Sequence, residues 1–314
     1  MPSRIPADGQ LSAWQRARRR LLIAAGTLAV LVVCYAVVCG VIANVSLTPH
    51  RKLPEHMPAD RGMVAEAVQF QSAVDRLPLA GWFLPSWGER AILLLHGLDS
   101  HSWDGSQPVL AQAYVEAGFH VLVFDLRGHG RSGGERLGLG WRERRDVRAA
   151  VDLILKRGFE PGQIGLHGTS YGAATALLAA AAIPEVGAVV ADSAFADVRE
   201  LMVAEIARRT DLPTQLASLL MPGVAFVTQW LYALDFDIIA PERTVASMAP
   251  RPVLFIHGSA DAIIPVAHAY RLRAAAQNAA AELWILPGLG HTQGVSKMRE
   301  TFLKRVVTFF DQSL

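Results

Sequence analysis

Ile164-Gly165-Leu166-His167-Gly168-Thr169-Ser170-Tyr171-Gly172-Ala173-Ala174-Thr175-Ala176-Leu177-Leu178-Ala179-Ala180 passes from an apolar run, through two glycines that bracket a serine, into a run of helix formers. It reads as a strand, a sharp turn and a helix. Glycine is required two residues either side of Ser170 because a turn this tight strains the backbone and brings strand and helix too close for side chains. The serine hydroxyl is thereby pushed out at the N-terminus of a helix, whose dipole favours developing negative charge. The pentapeptide alone is a weak signal in a glycine-rich chain. Its strand-turn-helix setting makes it informative.

A serine is a poor nucleophile at neutral pH and needs a base, which in turn needs an orienting group. The apolar run Pro252 to Ile256 leads into His257-Gly258-Ser259-Ala260-Asp261 and leaves a carboxylate on the loop after a strand. The run Leu283 to Leu286 leads into Pro287-Gly288-Leu289-Gly290-His291-Thr292 and leaves a histidine in the equivalent place. The order serine, acid, histidine, each following a successive strand, resembles the α/β-hydrolases, and the resemblance runs from about Val64 to the C-terminus. It implies an α/β fold: a mostly parallel eight-stranded sheet flanked by helices, with a helical lid. The triad would be Ser170, Asp261 and His291.

Two further segments carry the likeness. Ala91 to Leu95 followed by His96-Gly97-Leu98-Asp99 resembles the family's oxyanion loop. Backbone N–H groups of Leu98 and of Tyr171 would then face the substrate carbonyl oxygen, and loss of one such donor typically costs about 3 kcal/mol of transition-state stabilisation. Asp125-Leu126-Arg127-Gly128-His129-Gly130-Arg131-Ser132 matches the D-x-R-G-x-G-x-S turn of serine hydrolases similar to lysophospholipases, monoacylglycerol lipases and aminopeptidases of this fold.

Each residue also has a plainer reading. Ser170 would otherwise be a helix N-cap, and Asp261 a turn carboxylate capping the helix that begins near Pro265. Asp192, ending the run Gly187 to Ala191, competes with Asp261 for the histidine. His96 and His129 belong to turn motifs used for loop packing and receive no proton-transfer role.

The N-terminus has a different character. From Leu21 to Val45 the chain carries no charge and is dominated by Leu, Val, Ala and Ile. At about 1.5 Å per residue this stretch crosses a hydrocarbon core, which fits a transmembrane helix over 21–45. A signal peptide cleaved after Val41-Ile42-Ala43 is the rival, but its apolar core would usually be only about 7 to 15 residues. Arg16, Arg18, Arg19 and Arg20 precede the span, which puts the N-terminus in the cytoplasm and the remainder in the periplasm or outside the cell, with a bacterial inner membrane the expected location. The division expected is a basic segment at 1–20, the span, a proline-containing tether at 46–62 and a hydrolase domain at 63–314. Both cysteines, Cys34 and Cys39, fall in the span, so the catalytic domain has neither thiols nor disulfides. No zinc-type Cys/His spacing occurs and no cofactor is implied. With 30 Lys and Arg against 28 Asp and Glu, the near balance argues against a nucleic-acid surface.

Between Asp192 and Pro252 the chain is far longer than a crossover needs, and residues 195–247 are expected to form the lid. Its apolar residues, among them Leu201, Met202, Leu216, Leu219, Phe226 and Trp230, recur at helical spacing and would wall the site over Ser170. The expected activity is hydrolysis of carboxylic esters with apolar acyl groups, the partners being a small-molecule ester and the membrane. Two alternatives stay open. A peptidase or amidase of the same fold would need acidic residues for the substrate's amino terminus, for which Glu200, Glu205 and Asp211 are candidates. A membrane-tethered binding protein would need no chemistry at all.

Overall fold

The structure, a computed structural model, describes residues 13–314. Its sheet is built from β1 (Glu66–Gln71), β2 (Pro78–Leu84), β3 (Ala91–Leu95), β4 (His120–Phe124), β5 (Ile164–Thr169), β6 (Val186–Asp192), β7 (Val253–Gly258) and β8 (Ala281–Leu286). The strand order is β1-β2-β4-β3-β5-β6-β7-β8, antiparallel at β1/β2 and β2/β4 and parallel from β4 to β8. The central strands β3, β5 and β7 are buried along their whole length. That is why they read as unbroken apolar runs without alternation: helices cover both faces of a parallel sheet. The helices are α1 (Ala13–Ser46), α2 (Gln107–Glu116), α3 (Glu143–Lys156), α4 (Tyr171–Ala180), α5 (Val198–Thr210), α6 (Thr214–Tyr232), α7 (Pro241–Thr244), α8 (Ala267–Ala276), α9 (Gly294–Lys297) and α10 (Arg299–Ser313).

Register aligns the C-terminal strand ends. Leu95 of β3 pairs with Gly168 of β5, Thr169 with Asp192 of β6, and Gly258 of β7 with Leu286 of β8. The loops after these strands therefore emerge along one edge of the sheet. The strand after β3, β4, lies on one side of it and β5 on the other, so the chain reverses direction there and leaves a crevice between the loops that follow β3 and β5.

The helix α1 is long and apolar enough to cross a membrane by length and composition, and no residue of its most apolar stretch is buried. Its last turns are different. Cys39, Ile42, Ala43 and Leu47 are buried in the main core, packed with α5 and α6. The segment expected as a tether also lies against the domain, where the Arg51 guanidinium donates to the carbonyls of Gly130, at 2.8 Å, and Gly134, at 2.6 Å. Of the basic segment expected at 1–20, residues 1–12 lie outside the described residues.

Candidate active site

Ser170 follows β5 and precedes α4 with φ 56° and ψ −117°, a region that costs a non-glycine residue about 1–3 kcal/mol. The strain is maintained by what lies around it. A Cβ at Gly168 would overlap the Gly172 carbonyl and the Ala173 Cα, and one at Gly172 would overlap the Leu95 carbonyl. The Ser170 N–H donates to the Asp192 carbonyl at 2.8 Å, which locks the turn to the neighbouring strand.

His291 reaches this hydroxyl on the loop after β8, with Nε2 2.8 Å from Ser170 Oγ. Its Nδ1 lies 2.7 Å from Asp261 Oδ2. Asp261 Oδ1 accepts from the Ile263 and Ile264 amides, each at 2.9 Å. Burial alone would raise the Asp261 carboxyl, but hydrogen bonds from His257 and His291, with the Ile264 amide, outweigh it and hold the group well below the ordinary carboxylate range. The structure thus brings together the serine, acid and histidine singled out in the sequence.

Asp192 is placed differently. It ends β6, directly beside the serine turn, and its carboxylate accepts from Ser193 Oγ at 2.9 Å. The Thr292 amide donates to that same Oγ at 3.3 Å. Asp192 therefore braces the histidine loop through Ser193, while the acid in contact with His291 comes from β7, the strand adjacent to β8. Burial pushes the Asp192 carboxyl up to about 6, against the opposing effect of the Ser193 hydrogen bond and the neighbouring histidines.

The Leu98 loop is pinned on both sides. His96 Nδ1 donates to the Gly97 carbonyl at 2.7 Å while its Nε2 accepts from the Leu126 amide at 3.0 Å. His129 Nδ1 donates to the Arg127 carbonyl at 2.9 Å, and its Nε2 accepts from the Asp99 amide at 3.2 Å. Burial, with each other's proximity for His129, lowers both imidazoles, His129 to about 3. They are neutral brackets, which agrees with giving neither a proton-transfer role. Among the described residues, neither the Leu98 nor the Tyr171 amide donates to another protein group. Both line the same cavity as Ser170 and His291. The D-x-R-G-x-G-x-S turn braces from beneath: Asp125 accepts from the Ser102 and Arg131 amides, and Arg127 pairs with Asp146 at 2.6 Å and Asp75 at 2.7 Å.

Comparison with known proteins fits this geometry. The family described as X-Pro dipeptidyl-peptidase (S15 family) matches residues 64–218. The chain is 31% identical over 222 residues to the uncharacterized protein YqkD of Bacillus subtilis, spanning 70% of each chain. It is 28% identical over 260 residues to the uncharacterized protein YfhR of Escherichia coli, spanning 80% of this chain and 82% of that one. Among solved structures it superimposes on the esterase Pf2001 of Pyrococcus furiosus with a TM-score of 0.70, at 24% identity, covering 85% of this chain and 98% of the other. The chain belongs to the same family as YqkD, and its fold is that of the α/β-hydrolases.

The cavity over Ser170 measures about 590 Å³. Its apolar wall comes from Leu137, Leu139, Val198, Leu201 and Met202. Here the structure departs from the expectation that the whole lid walls the site. Leu201 and Met202 of α5 line the cavity, whereas Leu216, Leu219, Phe226 and Trp230 of α6 are exposed, because α6 packs against α1.

Two features escaped the sequence reading. His257 is fully buried, donates from Nε2 to the Ile264 carbonyl at 2.7 Å and stands 3.3 Å from Asp261 Oδ2, giving Asp261 a second histidine neighbour. The only signal was its place four residues before Asp261. The second is the junction at Asp99. Arg209 Nη2 is 2.8 Å from Asp99 Oδ2, Arg209 Nη1 donates to the Thr48 carbonyl at 2.9 Å, and the His50 amide donates to Asp99 Oδ1 at 2.9 Å. The lid, the segment after α1 and the loop carrying Leu98 meet there, and no local sequence pattern announces it.

Proposed function

We propose that the protein is a membrane-anchored serine hydrolase that cleaves carboxylic esters of apolar acyl groups, in the manner of the lysophospholipase and monoacylglycerol lipase branch of the superfamily. The observation that carries this reading is the continuous Ser170–His291–Asp261 hydrogen-bond chain at the floor of an apolar-walled cavity. Ser170 Oγ attacks the acyl carbon as its proton passes to His291 Nε2, and the oxyanion is received by the Leu98 and Tyr171 amides. The imidazolium, held by the Asp261 carboxylate, returns the proton to the departing alcohol. Water then attacks the acyl-enzyme by the same route, releasing the acid and restoring Ser170.

Ester chemistry is favoured over aminopeptidase chemistry by the state of the lid carboxylates. Glu200 is engaged by Arg271 at 2.7 Å, and Glu205 by both Arg208 and Arg209. Neither is free to hold a substrate ammonium group, and Asp211, the third candidate, does not line the cavity over Ser170. The match to an X-Pro dipeptidyl-peptidase family supports a second reading, serine peptidase or amidase. A panel of short-chain esters, long-chain esters and aminoacyl or prolyl amides separates the two: turnover rising with acyl length supports the first, and turnover confined to amides overturns it.

The anchor reading rests on α1 and the arginines before it. Retention of the helix is supported by its last turns, since a mature N-terminus at Asn44 would strip Cys39, Ile42 and Ala43 from the core. Protease added outside intact spheroplasts should degrade or release the domain; complete protection would overturn the external placement.

A further inference from the structure

The lid helix α6 has a composition that its surroundings in water do not explain. None of its 19 residues is charged, whereas α5, the other lid helix, carries five charged residues in 13. Ala217, Leu220, Val224 and Thr228 face the core. The opposite side is also apolar, with Leu219 71%, Phe226 69% and Trp230 77% exposed. A helix apolar on both sides belongs either in a core or in lipid, and this one has only one side in the core.

Its contacts with α1 fix where it lies. Gly223 packs so closely on α1 that a Cβ there would meet the Tyr35 ring and the Cys39 sulfur within 2.6 Å. Farther along, Val227 meets Gly40, and the Tyr232 hydroxyl faces Asn44 Oδ1 at 3.4 Å. At its other end, the chain leading into α6 is tied at Arg209 to the Thr48 carbonyl. Twenty residues counted from Leu21 reach Gly40, so Gly40 marks the outer edge of the hydrocarbon layer. The C-terminal end of α6 and the end of α5 that leads into it are thus held at or above that edge, at the level of Asn44 and Thr48. Its middle, which contains Pro222, sits about 1.5–8 Å below, beside Tyr35 and Cys39. That is the depth of an interfacial helix. Tyr232, with the Arg136 guanidinium 5.0 Å over its ring, stands at the headgroup level, where aromatic and basic residues anchor helices.

We propose that α6 lies in the outer leaflet of the bilayer beside α1, with its Leu219, Phe226 and Trp230 face against lipid acyl chains. This rests on the reading of α1 as a membrane span. The cavity over Ser170 is lined in part by Ser46, His50 and Lys52, the residues that end α1 and follow it, so the site sits at the membrane surface beside the immersed helix. An apolar ester reaches Ser170 from the leaflet without crossing water.

The test uses the full-length chain with Cys34→Ala and Cys39→Ala, carrying one new cysteine labelled with an environment-sensitive fluorophore, in phosphatidylcholine vesicles with or without nitroxide on the acyl chains. Three sites are compared: Phe226→Cys, Leu28→Cys within the span, and Trp87→Cys on the domain surface, where the side chain is 80% exposed. Circular dichroism melting confirms that each labelled variant is folded. The proposal expects quenching at position 226 to be at least half that at position 28 and several-fold above that at position 87. Strong quenching at 28 with 226 no different from 87 overturns the proposal and leaves the anchor standing. Absence of quenching at 28 overturns the anchor reading and the proposal together.

Discussion

Asp261→Asn is the most informative single substitution because the surroundings dictate how the new amide must sit. Two backbone donors, the Ile263 and Ile264 amides at 2.9 Å, converge on Oδ1, so the asparagine oxygen takes that position. Its NH₂ then occupies the place of Oδ2, 2.7 Å from His291 Nδ1. Two donors cannot face one another, so Nδ1 becomes the acceptor and the imidazole proton moves to Nε2. An Nε2–H cannot accept the Ser170 proton. The equivalent change in Ser-His-Asp triads lowers kcat about 10⁴-fold, which is about 5.4 kcal/mol at 1.36 kcal/mol per tenfold. The buried His257 also loses a carboxylate neighbour at 3.3 Å, so a stability loss on the order of 1–3 kcal/mol accompanies the kinetic effect. Hydrolysis of a p-nitrophenyl ester by the detergent-solubilised full-length protein, below its melting temperature, reads the kinetic term. A fall in kcat of less than about tenfold, with Asp192→Asn causing the larger loss, would refute the reasoning and move the third role to Asp192.

Arg209→Ala removes the guanidinium that ties Asp99 to Glu205 and Thr48, and should lower kcat about tenfold by loosening the Leu98 loop, with KM little changed; loss of melting temperature without a kcat effect would make the contact merely structural. Asp192→Asn tests the raised carboxyl at β6. A carboxyl raised from 3.8 to about 6 in the folded state contributes stability that is fully present below pH 3.8 and lost as pH rises to about 6, so the variant should gain on the wild type across that window and reach a plateau of about 3 kcal/mol above it. A stability difference that does not change between pH 4 and 7 would contradict this. Gly172→Ala should abolish activity and lower stability together, because the new methyl group would overlap the Leu95 carbonyl; a folded, active variant would contradict the close approach of β3 and α4.

What could be read in the sequence was whatever depends on short range. The glycines around Ser170 announce the turn because only the missing Cβ permits it, and Asp261 and His291 announce themselves by following apolar runs. What could not be read depends on distant partners. The charge-free run 21–45 looks uniform, yet Cys39, Ile42 and Ala43 face α5 and α6 from nearly two hundred residues away. The same packing turns α6 away from the cavity, although its spacing looks like that of any lid helix. The Asp99 junction joins three segments whose charges look like ordinary surface charges until the fold brings them together.

The central claim is that Ser170 is the nucleophile of ester hydrolysis. Intact-mass and peptide analysis of the full-length protein after treatment with a fluorophosphonate tests it most directly. The account predicts one adduct, on the peptide containing Ser170, forming in step with loss of esterase activity and absent in Ser170→Ala, whose melting temperature stays within a few degrees of wild type. An adduct on another residue, or esterase activity surviving in Ser170→Ala, would contradict it.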